Sequence, residues 1–208
     1  MSRPLLISDC DEVLLHMIVH FRDWLGEAHG IDFHLDGRDF LQAMRHRDGR
    51  PVEMEQMWQL LGGFFDSEMH RQTAIAGAVE ALNTLAEDAD VVILTNLADH
   101  RREDRMRQLA EHGIAARVFT NQGPKGPALR AIVEEYRPSR TVFIDDLAQH
   151  HESVAETVPG VFRLHMIGEP LIAPHHACAH VQGHAHARID RWDEALPWLR
   201  ETLHGTMP

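Results

Sequence analysis

Residues 5–14 read LLISDCDEVL, a short apolar run that leads into two carboxylates, Asp9 and Asp11, with Cys10 between them. Carboxylates this close repel each other, so they titrate apart or share a cation. One can stay ionised as a nucleophile while the other carries a proton for a leaving group. Asp is also a common turn residue, and the pair alone does not decide between the two roles. Three later stretches add to it. VVILTN (91–96) ends in Thr95 and Asn96, GPKGPAL (123–129) carries Lys125, and TVFIDD (141–146) ends in Asp145 and Asp146.

The group holds four carboxylates, one hydroxyl, one amide and one ammonium, and each type has a use in phosphoryl transfer. Several carboxylates together call for a cation, and hard oxygen ligands suit Mg²⁺. The ion would neutralise the repulsion between a carboxylate nucleophile and a phosphate. Lys125 and the Thr95 hydroxyl would bind phosphoryl oxygens as their charge grows. Asp9 would attack phosphorus to give an aspartyl-phosphate. Asp11 would protonate the leaving alcohol and then deprotonate the water that clears the intermediate.

These residues are far apart in sequence, so the fold must bring them together. Apolar runs at 5–8, 91–96, 118–120, 141–146 and 161–166 read as strands, buried on both faces where they are longest. Between them, helical periodicity covers 78–87, 100–112, 124–136 and a segment reaching about 158, with a last helix at 192–203 that Pro197 either kinks or restarts. Such alternation predicts a parallel α/β sheet with helices on both faces, and right-handed crossovers put every strand's carboxyl end on one edge. Residues 16–74 break the alternation and read as wholly helical. Leu14, Met17, Ile18, Phe21, Trp24, Leu25 and Ala28 form one apolar stripe that Gly30 closes. Pro51 opens a second helix with Met54, Met57, Trp58 and Leu61 on one side, and Gly62-Gly63 ends it. The expected architecture is therefore a Rossmann-like sheet with a small all-helical second domain inserted after the first strand.

Composition narrows the partners. The chain has 208 residues, 44% of them apolar, and a net charge of −12, which argues against nucleic acid. Two cysteines give no disulfide framework and suit a reducing compartment. No run approaches the roughly 20 apolar residues of a membrane span, and no leader is evident. A cytoplasmic protein acting on a small phosphorylated compound, with no membrane partner and an open oligomeric state, is the expectation.

The order Asp-x-Asp-x-Val, apolar-Thr-Asn, Lys, apolar-Asp-Asp resembles the haloacid dehalogenase-like hydrolase superfamily. Its four motifs correspond here to DCDEVL, VVILTN, GPKGPAL and VFIDDL. The resemblance implies a Rossmann-like core over 1–15 and 75–208 with a helical cap over 16–74. It implies Asp9 as nucleophile, Asp11 as acid/base, and Thr95 and Lys125 as phosphate binders. Mg²⁺ would be held by Asp9, Asp145, Asp146 and the Asp11 backbone carbonyl. The dehalogenase branch lacks a carboxylate at the Asp11 position, so the resemblance points to phosphatases or to phosphomutases and other phosphotransferases. A non-catalytic phosphate-binding protein would be expected to have lost one of these groups. Receiver domains use a similar set in another order and without an inserted cap. The Lys motif departs from the usual pattern in having Gly126 before Pro127.

In capped relatives the cap selects the leaving group, which makes Arg45, Arg47, Arg50 and Trp58, with Asn96 on the core, the candidate substrate contacts. A solvated turn and a core Trp would also account for the cap residues. Hinges are expected at 12–16 and 73–77. The stretch 174–187 carries His175, His176, Cys178, His180, His184 and His186 and is read as a polar surface loop rather than a zinc site. His150 and His151 follow the last acidic pair and receive no role.

Overall fold

A computed structural model describes residues 2–37 and 40–205. In chain order the elements are β1 (Leu5–Ser8), α1 (Ile18–Trp24), β2 (Ile31–Phe33), β3 (Met44–His46), α2 (Met54–Ser67), α3 (Ala78–Asp88), β4 (Asp90–Asn96), α4 (Arg102–Glu111), β5 (Arg117–Asn121), α5 (Gly126–Tyr136), β6 (Thr141–Asp145), α6 (Ala148–Thr157), β7 (Phe162–His165), β8 (Ala187–Arg188) and α7 (Trp192–His204). Six strands form one parallel sheet in the order β5-β4-β1-β6-β7-β8.

The first strand sits mid-sheet because every one of its side chains is apolar or small and buried. Alternation along it serves two cores. Leu6 points into a cluster with Leu82 and Leu85 of α3, Leu109 of α4 and Leu199 of α7. Leu5 and Ile7 point the other way, onto Leu129 and Ile132 of α5 and Val154 of α6. The sheet is thus covered on both faces, as the unbroken apolar runs require.

A separate apolar cluster is centred on residues 18–69. Phe21 lies at its middle, with the rings of Trp24, Phe33, Phe40 and Phe64 at centroid distances of 5.4–6.2 Å. Here four expectations need correction. The segment is not wholly helical, because β2 and β3 pair antiparallel, matching Ile31 with His46 and Phe33 with Met44. Ile31 and Phe33 face the Phe21 cluster while Asp32 faces out, an alternation only three residues long and hence lost in a helical window. The first helix starts at Ile18 rather than Leu14, since the amides of Leu14 and Leu15 turn back onto the Cys10 carbonyl. Pro51 opens no helix and bridges to Arg45, and α2 begins three residues later. Gly62 and Gly63 lie inside α2, where the missing side chains let the Trp24 ring and the Arg101 guanidinium approach. The last helix runs through Pro197 without a break.

The chain crosses to this unit and back through two paired segments. The His16 amide donates to the Thr73 carbonyl (2.9 Å) and the Ile75 amide to the Leu14 carbonyl (2.8 Å). From the sheet side, Arg101 grips α2 through Asp66 (2.6 Å) and the Gly62 carbonyl (3.1 Å). No helix among the described residues is long and apolar enough to cross a membrane.

Phe21→Ala removes the ring around which four others pack. Such a deletion costs about 3–5 kcal/mol, and urea unfolding followed by circular dichroism should show that loss.

Candidate active site

Three of the four sequence motifs meet at the carboxyl edge of the sheet. β1 is held in register between β4 and β6, and the Asp9 amide donates to the Ile144 carbonyl (2.8 Å), which sets Asp9 beside the end of β6. Lys125, fully buried, precedes α5 and reaches across with its Nζ 2.8 Å from Asp9 Oδ1 and 2.6 Å from Asp145 Oδ2. The carboxylates of Asp9, Asp145 and Asp146 lie within 4.8 Å of one another.

This crowding shows in the ionisation of each group. Burial pushes the Asp9 carboxyl up, and Lys125 pulls it part of the way back. Asp146 rises well above the usual carboxylate range through burial and the charges of Asp145 and Asp9. Burial alone would lower the Lys125 ammonium, but Asp145 and Asp9 outweigh it and raise it. Asp146 has no basic partner among the described residues. Three buried carboxylates offer the oxygen donors a hard divalent cation takes, so the residues fit Mg²⁺.

Asp11 takes a different direction. Its carboxylate does not join the cluster but accepts two hydrogen bonds from Arg105 Nη2 (3.0 Å each) and one from Gln72 Nε2 (2.6 Å). Arg105 is fully buried, donates also to Cys10 Sγ and Gln108, and lies over the Phe65 ring. Burial raises the Asp11 carboxyl and Arg105 opposes it. Neither Arg105 nor Gln72 stood out in the sequence. The available signal was that Arg105, Gln108 and Leu109 share the one buried stripe of a helix otherwise made of charges.

The remaining motif residues build the frame. Thr95 is buried at the end of β4, opposite Thr120. Asn96 donates to the Gly123 carbonyl (3.0 Å) and accepts from Asn121 (2.8 Å), so it shapes the turn that delivers Lys125. Gly126 answers the departure in the Lys motif. Its amide donates to Ser153 Oγ (3.0 Å), and a Cβ there would run into Ser153 and Thr157 of α6. His151 donates its Nε2–H to the Asp145 carbonyl (2.9 Å), and His165 does the same for Asp146 (2.7 Å). Burial pushes His151 down to about 3, so it stays neutral and keeps that donor.

A cleft of about 1070 Å³ opens between this edge and the inserted unit. Asp146 and Glu12 lie on its core side, and Leu35, Phe40, Met54 and Trp58 on the other. Met54 and Trp58 are 60% and 61% exposed, unusual for side chains of that size. The other cap candidates lie elsewhere. Arg47 borders a separate groove and donates to the Gly26 carbonyl, Arg45 donates to the Met44 carbonyl, and Arg50 pairs with Asp48. His175, His176 and His184 border the cleft, and among the described residues the 174–187 histidines form no metal-sized group.

No protein-family model matches the chain, and no curated protein does. Solved structures do. A conserved haloacid dehalogenase-like protein of unknown function from Agrobacterium tumefaciens superposes with a TM-score of 0.71 at 18% identity, over 96% of this chain and 98% of that one. A haloacid dehalogenase family hydrolase from Deinococcus radiodurans, with bound phosphate and sodium, gives 0.67 at 19% identity over 97% and 96%. A haloacid dehalogenase-like family hydrolase from Streptococcus pneumoniae gives 0.66 at 12% identity over 95% and 99%.

Two outcomes follow from the buried charges. Lys125→Met strands Asp9 and Asp145 without a cation and should cost about 3–5 kcal/mol near neutral pH, less in acid where the carboxylates protonate; urea titrations at two pH values test this. His151 in the folded chain takes up its proton far below the ordinary value of 6.5. Between about 3 and 6.5 the unfolded chain binds the extra proton, so this contribution is whole above 6.5 and is lost as pH falls. Thermal melts of His151→Gln against the native protein should therefore show a shallower acid decline in the variant.

Proposed function

We propose that this chain, which has the haloacid dehalogenase-like fold, is a Mg²⁺-dependent phosphatase acting on a small phosphorylated compound through an aspartyl-phosphate on Asp9. The observation that carries the reading is the junction of Asp9, Lys125, Asp145 and Asp146 at one sheet edge beside the cleft. The phosphate bound in the Deinococcus hydrolase agrees with it.

Lys125 holds one oxygen of Asp9 and aims the carboxylate, leaving the second oxygen to attack phosphorus. The new Asp9–phosphorus bond forms as the bond from phosphorus to the alcohol oxygen breaks. Lys125 and Thr95 take the phosphoryl oxygens as their charge grows. Asp9, Asp146 and the Asp11 carbonyl would hold Mg²⁺, which supplies charge neutralisation between nucleophile and phosphate. Asp11 gives its proton to the departing alcohol and takes one from the water that cleaves the phosphoaspartate. While Arg105 and Gln72 grip it, Asp11 is drawn aside, so each proton transfer requires that grip to loosen. Gln72 adjoins the returning hinge segment, which links the loosening to movement of the cap.

The cleft favours hydrolysis over phosphoryl return to a second phosphorylated position. Among the described residues no Lys or Arg lines it to hold a second phosphate. Its apolar wall instead fits an apolar leaving group, with Trp58 and Met54 in contact.

Hydrolysis of an aryl phosphate by the purified protein tests the reading. Turnover should require Mg²⁺, stop with a chelator, and fall by roughly a thousandfold or more in Asp9→Asn. Turnover that survives Asp9→Asn overturns Asp9 as nucleophile. Trp58→Ala should raise KM for the aryl ester severalfold with little change in kcat, and an unchanged KM removes Trp58 from the substrate contacts.

A further inference from the structure

We propose that Glu12, His16 and Glu169 form a second metal site, separate from the oxygen-only cluster, that takes a divalent transition ion such as Zn²⁺. One ligand atom from each of the three lies within 4.8 Å of the others. His16 Nδ1 and Glu169 Oε2 are 3.0 Å apart. Ligands at about 2.0–2.1 Å around a tetrahedral zinc sit about 3.3 Å from one another, so a small adjustment admits the ion.

A second observation points to a ligand. Glu12 is buried, and its Oε1 accepts the amides of Met17 (2.9 Å) and Ile18 (2.5 Å) at the start of α1. Its Oε2 is buried with no hydrogen-bond partner at all. A buried carboxylate oxygen left empty is costly unless something fills it. His16 Nδ1 likewise makes no hydrogen bond of proper geometry, although it lies beside Glu169. Glu169 is itself oriented, because its Oε1 accepts the Leu171 amide (2.9 Å). Glu12 and Glu169 thus each have one oxygen fixed by backbone amides and a second that the backbone does not hold, the kind of outer contact that orients metal ligands.

The donor types separate this place from the catalytic one. Asp9, Asp145 and Asp146 offer only oxygen and suit Mg²⁺, whereas an imidazole with two carboxylates suits zinc, manganese or iron. The site also has a place in the fold. Glu12 and His16 lie on the segment leading out to the cap, and Glu169 follows β7, where the Gly168 amide already donates to the Glu12 carbonyl (2.6 Å). A bound ion would tie that segment to the sheet.

The test reads binding, so it is independent of whether the chain is a phosphatase. The full chain, stripped of metal, is titrated with Co²⁺ in saturating Mg²⁺, which fills the oxygen-only cluster. One Co²⁺ per chain should bind, with the visible absorption of a four- or five-coordinate ion, and Zn²⁺ should displace it. His16→Ala and Glu169→Gln should each weaken binding at least about tenfold, while Asp146→Asn leaves it unchanged. Because a variant can misfold, the native protein carries its own check: Co²⁺ should shift or broaden the His16 ring resonances in proton NMR spectra. The proposal fails if no Co²⁺ binds above the Mg²⁺ site, if Asp146→Asn abolishes the binding, or if the His16 ring signals do not respond. In that case the trio is an ion pair only.

Discussion

The buried ammonium of Lys125 is the constraint on which the rest depends. Four aspartates crowd the end of the central strand, and within the protein two cations answer them, Lys125 toward Asp9 and Asp145 and Arg105 toward Asp11. Among the described residues that leaves Asp146 as the carboxyl without a basic partner. Everything nearby serves to keep Lys125 in this gap. The Asn96–Asn121–Gly123 hydrogen bonds fix the turn before it, Gly126 lets α5 close against α6, and His151 and His165 hold the backbone of the facing acidic pair. A neutral imidazole suits that last task because it donates one hydrogen bond and brings no further charge.

The inserted unit is governed by apolar packing instead. Phe21 organises its rings, and the small surfaces of Gly62 and Gly63 allow α2 to lie close to Trp24 and Arg101. Where that packing stops, Trp58 and Met54 remain uncovered over the cleft. The two segments that cross to it hydrogen-bond to each other rather than running separately, so the unit is carried on a ribbon instead of on two loose threads.

The sheet was legible because burial on both faces leaves an unmistakable apolar run, and because a strand's end is where polar residues resume. Asp9, Thr95, Asp145 and Asp146 were picked out that way and Lys125 from its loop, and the structure gathers the three carboxylates and the ammonium into one cluster. The small hairpin of Ile31–Phe33 with Met44–His46 was not legible, since three residues do not establish a period. Glycine pairs usually end helices, and Gly62-Gly63 misled because tertiary contacts favoured small residues there. Periodicity names the buried face of a helix but not what that face meets. The sequence therefore did not show that Arg105 meets Asp11. A basic loop in an acidic chain suggested an anion, and in the structure Arg47 donates to the Gly26 carbonyl and Arg50 pairs with Asp48.

One contact has a bearing on how the molecule is made. The indole of Trp192, at the start of the last helix, donates its N–H to the Val13 carbonyl (2.8 Å) across 179 residues of sequence. Val13 belongs to the turn that follows the two aspartates. On the ribosome the strand that carries Asp9 emerges well before both its neighbours in the sheet and the indole that secures its turn. The turn after Asp9 and Asp11 is thus written early and finished late, and until α7 docks, a nascent chain carries these aspartates without the contact that secures their turn.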